Sequence, residues 1–350
     1  MKNKKRIITL MLLTLSIILL MIGLKYIVTV EEDKPVSATV PDESPKFNNP
    51  LTGEYYAKDV TNSRPIAIAI NNSKGARPQW GLCTPDIIIE GLVEGGITRM
   101  LWLYSDIDSI PKVGSVRSAR HDFIEIAEGF DALFVHWGGS GYAYTAIANR
   151  SVNSIDGMAY EKKYFFRDKS IHSSNEHSGY TTGEMISKAI AAKSFRVDIN
   201  SEYKNPLKFH SPDDKHTYMD GKSNSIKFDF SKYCGYTFNW DSENQLYYCN
   251  TNGGKMVSAQ GDQLAVSNVI VLYMPSYSVL NESGVIDMNL SSGEGVISSN
   301  GSYEKIIWEK GNTPSNMLKL CRSDGSDLLL NTGKSYIAFI PAELGPAKIS

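Results

Sequence analysis

The stretch "GSVRSARHDF" at 114–123 sets Arg117 and Arg120 three apart, where a Gly/Ser run gives way to helical spacing. A helix start exposes unpaired N–H groups and carries roughly half a positive charge, so two cations there call for a compensating anion. Two sources are open. Glu90 and Glu94, with Arg99 close by in sequence, could pair with the arginines in a partly buried network that docks a helix on a sheet. Alternatively, two guanidinium forks on one helix face, with Ser115 as N-cap and Ser118 beside them, could grip a phosphate, sulfate or carboxylate.

Glu90 and Glu94 also raise the prospect of paired carboxylates for acid–base work on a glycan. Four residues along a strand span about 13 Å, beyond the roughly 5 to 9.5 Å that glycosidase carboxyls need, so their spacing argues against it unless Gly91 bends the path. His136 ends an apolar run and precedes Gly138-Gly139-Ser140, where small residues admit a backbone or ligand closely. A structural, hydrogen-bonded histidine is the other reading of His136. His177 and His172 share a loop at a spacing that supports no metal site, and neither a metal nor a cofactor is expected. The chain lacks a G-x-S-x-G elbow, a P-loop and a GxGxxG. Cys83 in "WGLCTPD" reads as a buried thiol.

The elements that must position these residues alternate in type. "RPIAIAINN" (64–72), "PDIIIEGL" (85–92) and "TRMLWLYS" (98–105) are apolar, β-branched runs bounded by turn residues and predict strands of one buried sheet. From Ser115 the apolar residues Val116, Ala119, Phe123, Ile126 and Ala127 recur at three and four, which predicts a helix ending near Gly129. "DALFVHWGG" returns to strand. "SGYAYTAIAN" predicts a second helix, and "TTGEMISKAIAAKSF" a third, opened by a capping box from Thr181 to Glu184. Beyond residue 225 the chain turns to short strands: "YTFNW", "QLYYC", "VSNVIVLYM", "VIDMNL", "YEKIIWEK", "LLLNTG" and "SYIAFIP". The fold class expected is α+β, a mixed α/β unit at 50–200 and a β-rich unit at 225–345 joined by a connecting segment at 201–224.

Lys2, Lys4, Lys5 and Arg6 precede an uncharged apolar run from Ile7 to Leu24. As a helix that run rises about 27 Å, close to the hydrocarbon thickness of a bilayer. Residues 1–30 are therefore expected to be a single-pass anchor or signal segment, basic end in the cytoplasm and the remainder outside. Cleavage after Ala38 and secretion is the alternative. Residues 31–49, charged and Pro-rich, read as a flexible linker.

Thirty-six basic residues against 38 acidic ones give a net charge of −2, which speaks against a nucleic-acid groove. Cys234 and Cys249 flank an aromatic hairpin. With a two-residue loop they would face each other, and with Asp241 to Asn244 as the loop Cys249 would face Tyr236. A disulfide between them is open in an exported protein, and a free buried pair is the simpler reading. Trp and Tyr side chains are expected mainly to fill the core.

"NPLTG" (49–53), "RPIAIAINN", "EGLVEGGITRM" (90–100), "VGSVRSAR" (113–120) and "HWGGS" (136–140), with "SNVIV" (267–271), "IIWEKG" (306–311) and "DGSDLLLNTGKSYIAFIP" (324–341), together resemble the YerB-like family of bacterial lipoproteins across about residues 49–342. The resemblance implies a layered sheet/sheet/helix α+β fold, surface attachment and no cofactor; the family's biochemical role is not established. No cysteine follows the apolar run, so no lipid attachment site is carried over, and Ser178 stands where relatives have Asn after His177. The expected function is a membrane-anchored extracytoplasmic binding or scaffold protein with an anion pocket formed by Arg117, Ser118, Arg120, Arg99, Glu90, Glu94, His136, Ser140 and His177. Its partners would be the membrane, through the N-terminal segment, and an anionic envelope polymer or protein. The alternative is an envelope hydrolase using acids and histidines of the same cleft.

Overall fold

The computed structural model describes Met11, residues 14–21, 46–251, 254–280 and 283–350. Lys46–Ser350 forms one compact unit. The expected anchor lies largely outside the described residues, and so does most of the linker. Among the described residues no helix is long and apolar enough to cross a membrane.

Runs from both halves of the chain converge on one 11-stranded sheet. Its centre is Asn268–Met274, Ser335–Pro341 and Ile87–Leu92, all parallel, followed by antiparallel Thr98–Tyr104 and Ile66–Asn71. Leu133–His136 and Ser154–Asp156 extend it in parallel beyond Ile66–Asn71. On the opposite side Ser292–Ser299 and Ser302–Glu309 pair antiparallel. The stretches read as two domains share this sheet, because Ser335–Pro341 pairs in parallel with Ile87–Leu92.

Period-two alternation assigns the two faces. Ala67, Ala69, Ile87, Ile89, Leu101 and Leu103 pack with Phe123, Ile126 and Ala127 of the helix His121–Gly129. Ile66, Ile68, Ile70, Ile88, Met100 and Trp102 meet the aromatic face of a second, 6-stranded sheet, with Phe228, Tyr236 and Phe238, and the helix Gly183–Lys193. This is the layered α+β arrangement of sheet, sheet and helix.

Local boundaries differ in three places. The first helix starts at His121 after Arg120, with no side-chain cap, instead of at Ser115, whose hydroxyl is buried without a partner. The third is capped by Thr182, which accepts the N–H of Met185, whereas Thr181 donates to Tyr164 and Glu184 pairs with Lys188. In the aromatic hairpin Asp241 pairs with Leu246, leaving a four-residue turn at 242–245, so Cys249 lies opposite Phe238 and not Tyr236. Cys234 and Cys249 are free, buried thiols, so the disulfide left open is not formed.

Candidate functional site

The cleft of interest begins where two parallel strands part. Ile66–Asn71 and Leu133–His136 pair at Ile66, Ala67 and Ile68, then diverge. Residues 115–119 fill the gap: Asn71 N–H donates to Ser115 O, Arg117 N–H to Ala69 O, Trp137 N–H to Arg117 O, and Ala119 N–H to Gly138 O. Buried backbone groups must be paired, and pairing with two strand ends here overrides the helical spacing of the apolar side chains. Arg117 and Arg120 thus stand on an extended segment, not on the first turn of a helix.

An open cavity of about 440 Å³ sits at these carboxyl strand ends, the usual place for ligands in open parallel sheets. Arg117, Ser118, Trp137, Gly138, Arg167 and Glu176 are among its lining residues. The guanidinium of Arg167 lies over the Trp137 ring at 4.4 Å and pairs with Glu161 at 2.8 Å. Two glycines allow the indole to lie flat: a Cβ at Gly157 would stand 2.5 Å from it and one at Gly179 2.7 Å. Asp156 ties the wall together, accepting from Gly138 N–H at 2.8 Å and from the Tyr144 hydroxyl at 2.8 Å.

The charged residues divide sharply. Arg120 is clasped by Glu94 through Nε at 2.6 Å and Nη2 at 2.8 Å, with the two side chains only 14% and 22% exposed. Burial works against the charge of Glu94, yet the hydrogen bonds and charge of Arg120 outweigh it and hold the carboxyl below the usual range. Arg117 pairs with Glu176, whose side chain is 52% exposed. Arg99 is 3% exposed, donates through Nη1 to Ser118 O, and leaves Nε without a partner. Burial, then the like charges of Arg120 and Arg117, disfavours its charged form. A guanidinium nevertheless stays protonated at ordinary pH, so the strain persists as unbalanced charge. Among the described residues no carboxylate reaches ion-pair distance of Arg99, and the local balance is three guanidiniums to two carboxylates.

Glu90 does not join this group. It is fully buried on the opposite face of the central sheet, accepting from Asn72 at 2.7 Å, Tyr236 at 3.1 Å and Tyr336. Burial raises its pKa, offset in part by these hydrogen bonds and the charge of Arg77. The network joins Ile87–Leu92 to the second sheet. His136 is also fully buried, and its Nδ1–H donates to Gly138 O at 2.7 Å, which leaves Nε2 bare. Burial lowers its pKa against the pull of Asp156 and the Gly138 hydrogen bond, which favours the neutral imidazole. Ser140 caps the helix Gly141–Arg150 by accepting from Ala143 N–H at 3.1 Å. His177 Nδ1 accepts from Asn71 at 3.0 Å and its ring packs over Gly75.

Of the expected set, Arg117 and Ser118 reach the cavity, Arg99 lies directly behind them, and Arg120 and Glu94 neutralise each other alongside. Glu90, His136, Ser140 and His177 are not among the residues that line the cavity. Arg167, Glu176 and Asp156 stand 39 to 59 residues from Arg117, and no spacing rule connects them to it in the sequence.

Family models described as the N-terminal and C-terminal domains of a protein of unknown function (DUF3048) match residues 51–196 and 225–337. The YerB protein of Bacillus subtilis (strain 168), provisionally named a lipoprotein, is 31% identical over 317 residues, 89% of this chain and 91% of that protein. A crystal structure of YerB from Bacillus subtilis matches with a TM-score of 0.75 at 28% identity, covering 87% of this chain and 100% of that one.

Proposed function

The chain belongs to the YerB-like family of DUF3048 proteins, and on that premise we propose that it is a surface-tethered binding module whose cleft at Arg117 and Arg167 accepts an anionic group of an envelope polymer or partner protein. The lipoprotein name of its relative, with the basic and apolar N-terminal run, supports a tether that holds residues beyond 30 outside the cell. The observation that carries the reading is Arg99, a buried guanidinium with no carboxylate at ion-pair distance among the described residues, directly behind a cleft lined by Arg117. An anion there completes a charge balance the protein leaves short.

Glu176 acts as the resident stand-in. Its exposed carboxylate holds Arg117 until a ligand carboxylate or phosphate displaces it. Glu90 and Glu94 do not form the carboxylate pair of the hydrolase alternative, since Glu94 is engaged by Arg120 and Glu90 is fully buried.

The test is binding of the detergent-solubilised full chain to poly(glycerol phosphate) and to inorganic phosphate, compared with Arg117→Ala and Arg120→Ala. Loss in Arg117→Ala with retained folding supports the cleft. Loss only in Arg120→Ala, or identical binding in all three, rejects it.

A further inference from the structure

We propose that His121, Asp122 and Asp287 form a second site, for a divalent first-row transition ion such as Zn²⁺ or Mn²⁺. His121 and Asp122 open the helix His121–Gly129, and Asp287 comes from the strand Ile286–Met288 packed against it. One donor atom from each lies within 4.8 Å of the others. His121 Nε2 stands 3.0 Å from Asp287 Oδ1 and 3.4 Å from Asp122 Oδ1. Metal bonds of about 2.1 Å set adjacent ligands about 3.0 Å apart in an octahedron and about 3.4 Å in a tetrahedron. A single N–H can satisfy only one of the two oxygens, whereas one ion satisfies both.

Asp122 is the buried member of the three. It is 2% exposed, its Oδ1 accepts the Met288 N–H at 3.2 Å, and among the described residues no lysine or arginine comes within ion-pair distance of it. Burial first, and then the like charges of Asp287 and Glu125, raises its pKa well above the usual carboxylate range. The neighbouring cation, Arg120, is already engaged by Glu94. A buried carboxyl among acids has no cation to support its charged form, and a divalent ion would supply one.

Met288 N–H orients Asp122, and Ser278 Oγ donates to Asp287 Oδ2 at 3.4 Å. Asp287 and Glu125 line an open cavity of about 380 Å³, which leaves coordination positions for water or a ligand atom. His121 Nδ1 is buried without a partner. Ligation through Nε2 would leave Nδ1–H without an acceptor, so micromolar rather than nanomolar affinity is expected.

After chelator treatment, the full chain is titrated calorimetrically with ZnCl₂ and MnCl₂, beside Asp287→Asn and His121→Gln. Saturable binding of one ion per chain is expected, with a rise in Tm, and at least ten-fold weaker binding in both variants. Co²⁺ should give a visible absorption band that both variants lose. Asp287 is partly exposed on a short strand, so Asp287→Asn carries the test should His121→Gln fail to fold. Absence of saturable binding, or unchanged affinity in Asp287→Asn, overturns the proposal.

Discussion

Removing Glu94 tests how the arginine group is balanced. Glu94→Ala deletes both hydrogen bonds to Arg120, at 2.6 and 2.8 Å, from a pair whose side chains are 14% and 22% exposed. Exposed pairs are worth about 0 to 1 kcal/mol, and breaking a buried one costs about 3 to 5 kcal/mol. This geometry lies between them and nearer the buried end, so roughly 2 to 3 kcal/mol is expected. Arg99 adds to the loss, because Arg120 would repel it uncompensated. Urea unfolding followed by circular dichroism should show the midpoint fall, and a thermal scan should lose roughly 4 to 6 °C. The pH dependence has a definite sign. A carboxylate held below its usual pKa stabilises the fold above the unfolded value of about 4.3, and that stability disappears as pH falls through the lower folded value. The gap between wild type and Glu94→Ala should therefore be full at pH 7 and close in acid. A variant within about 0.5 kcal/mol of wild type at pH 7, or a gap that persists at pH 2, refutes the reasoning.

Glu90→Gln should behave in the opposite sense: burial raises the pKa of Glu90, so the wild type's advantage is greatest in acid and shrinks as pH rises above about 4, measured by urea midpoints from pH 4 to 8; an advantage that grows with pH contradicts this. Denatured protein should yield 4 reactive thiols without reductant, whereas buried Cys234 and Cys249 stay silent in the native state; a yield of two would mean a disulfide. Gly157→Ala places a Cβ 2.5 Å from the Trp137 ring and should perturb near-ultraviolet dichroism and cost about 1 to 3 kcal/mol, while an unchanged spectrum would show that the indole is not pinned there.

Strands whose burial pattern is uniform were legible. "IAIAIN", "IIIEGL" and "SYIAFIP" are apolar on both faces because helices cover one side and a second sheet the other. What stayed hidden was pairing between distant segments. Ser292–Ser299 carries "SGEGVISS", too polar to read as a strand, yet it is held between Asn268–Met274 and Ser302–Glu309. The helical spacing from Val116 to Ala127 was real only from Phe123 onward, since the earlier residues had strand ends to pair with. The same displacement explains the site. Arg117 stands out by its motif, but Glu176 and Arg167 come from the short 3-10 helix Asn175–His177 and the strand Phe166–Arg167, placed beside it only by the fold, and Glu90, close in sequence, points to the opposite face.

Titrating the Glu176→Gln variant with inorganic phosphate and poly(glycerol phosphate), alongside wild type and Arg117→Ala, reports most directly on the cleft. If an internal carboxylate occupies the ligand's place, neutralising it should tighten binding several-fold, and Arg117→Ala should weaken it at least ten-fold. Equal affinity in all three proteins, or weaker binding in Glu176→Gln, would contradict an anion site at Arg117.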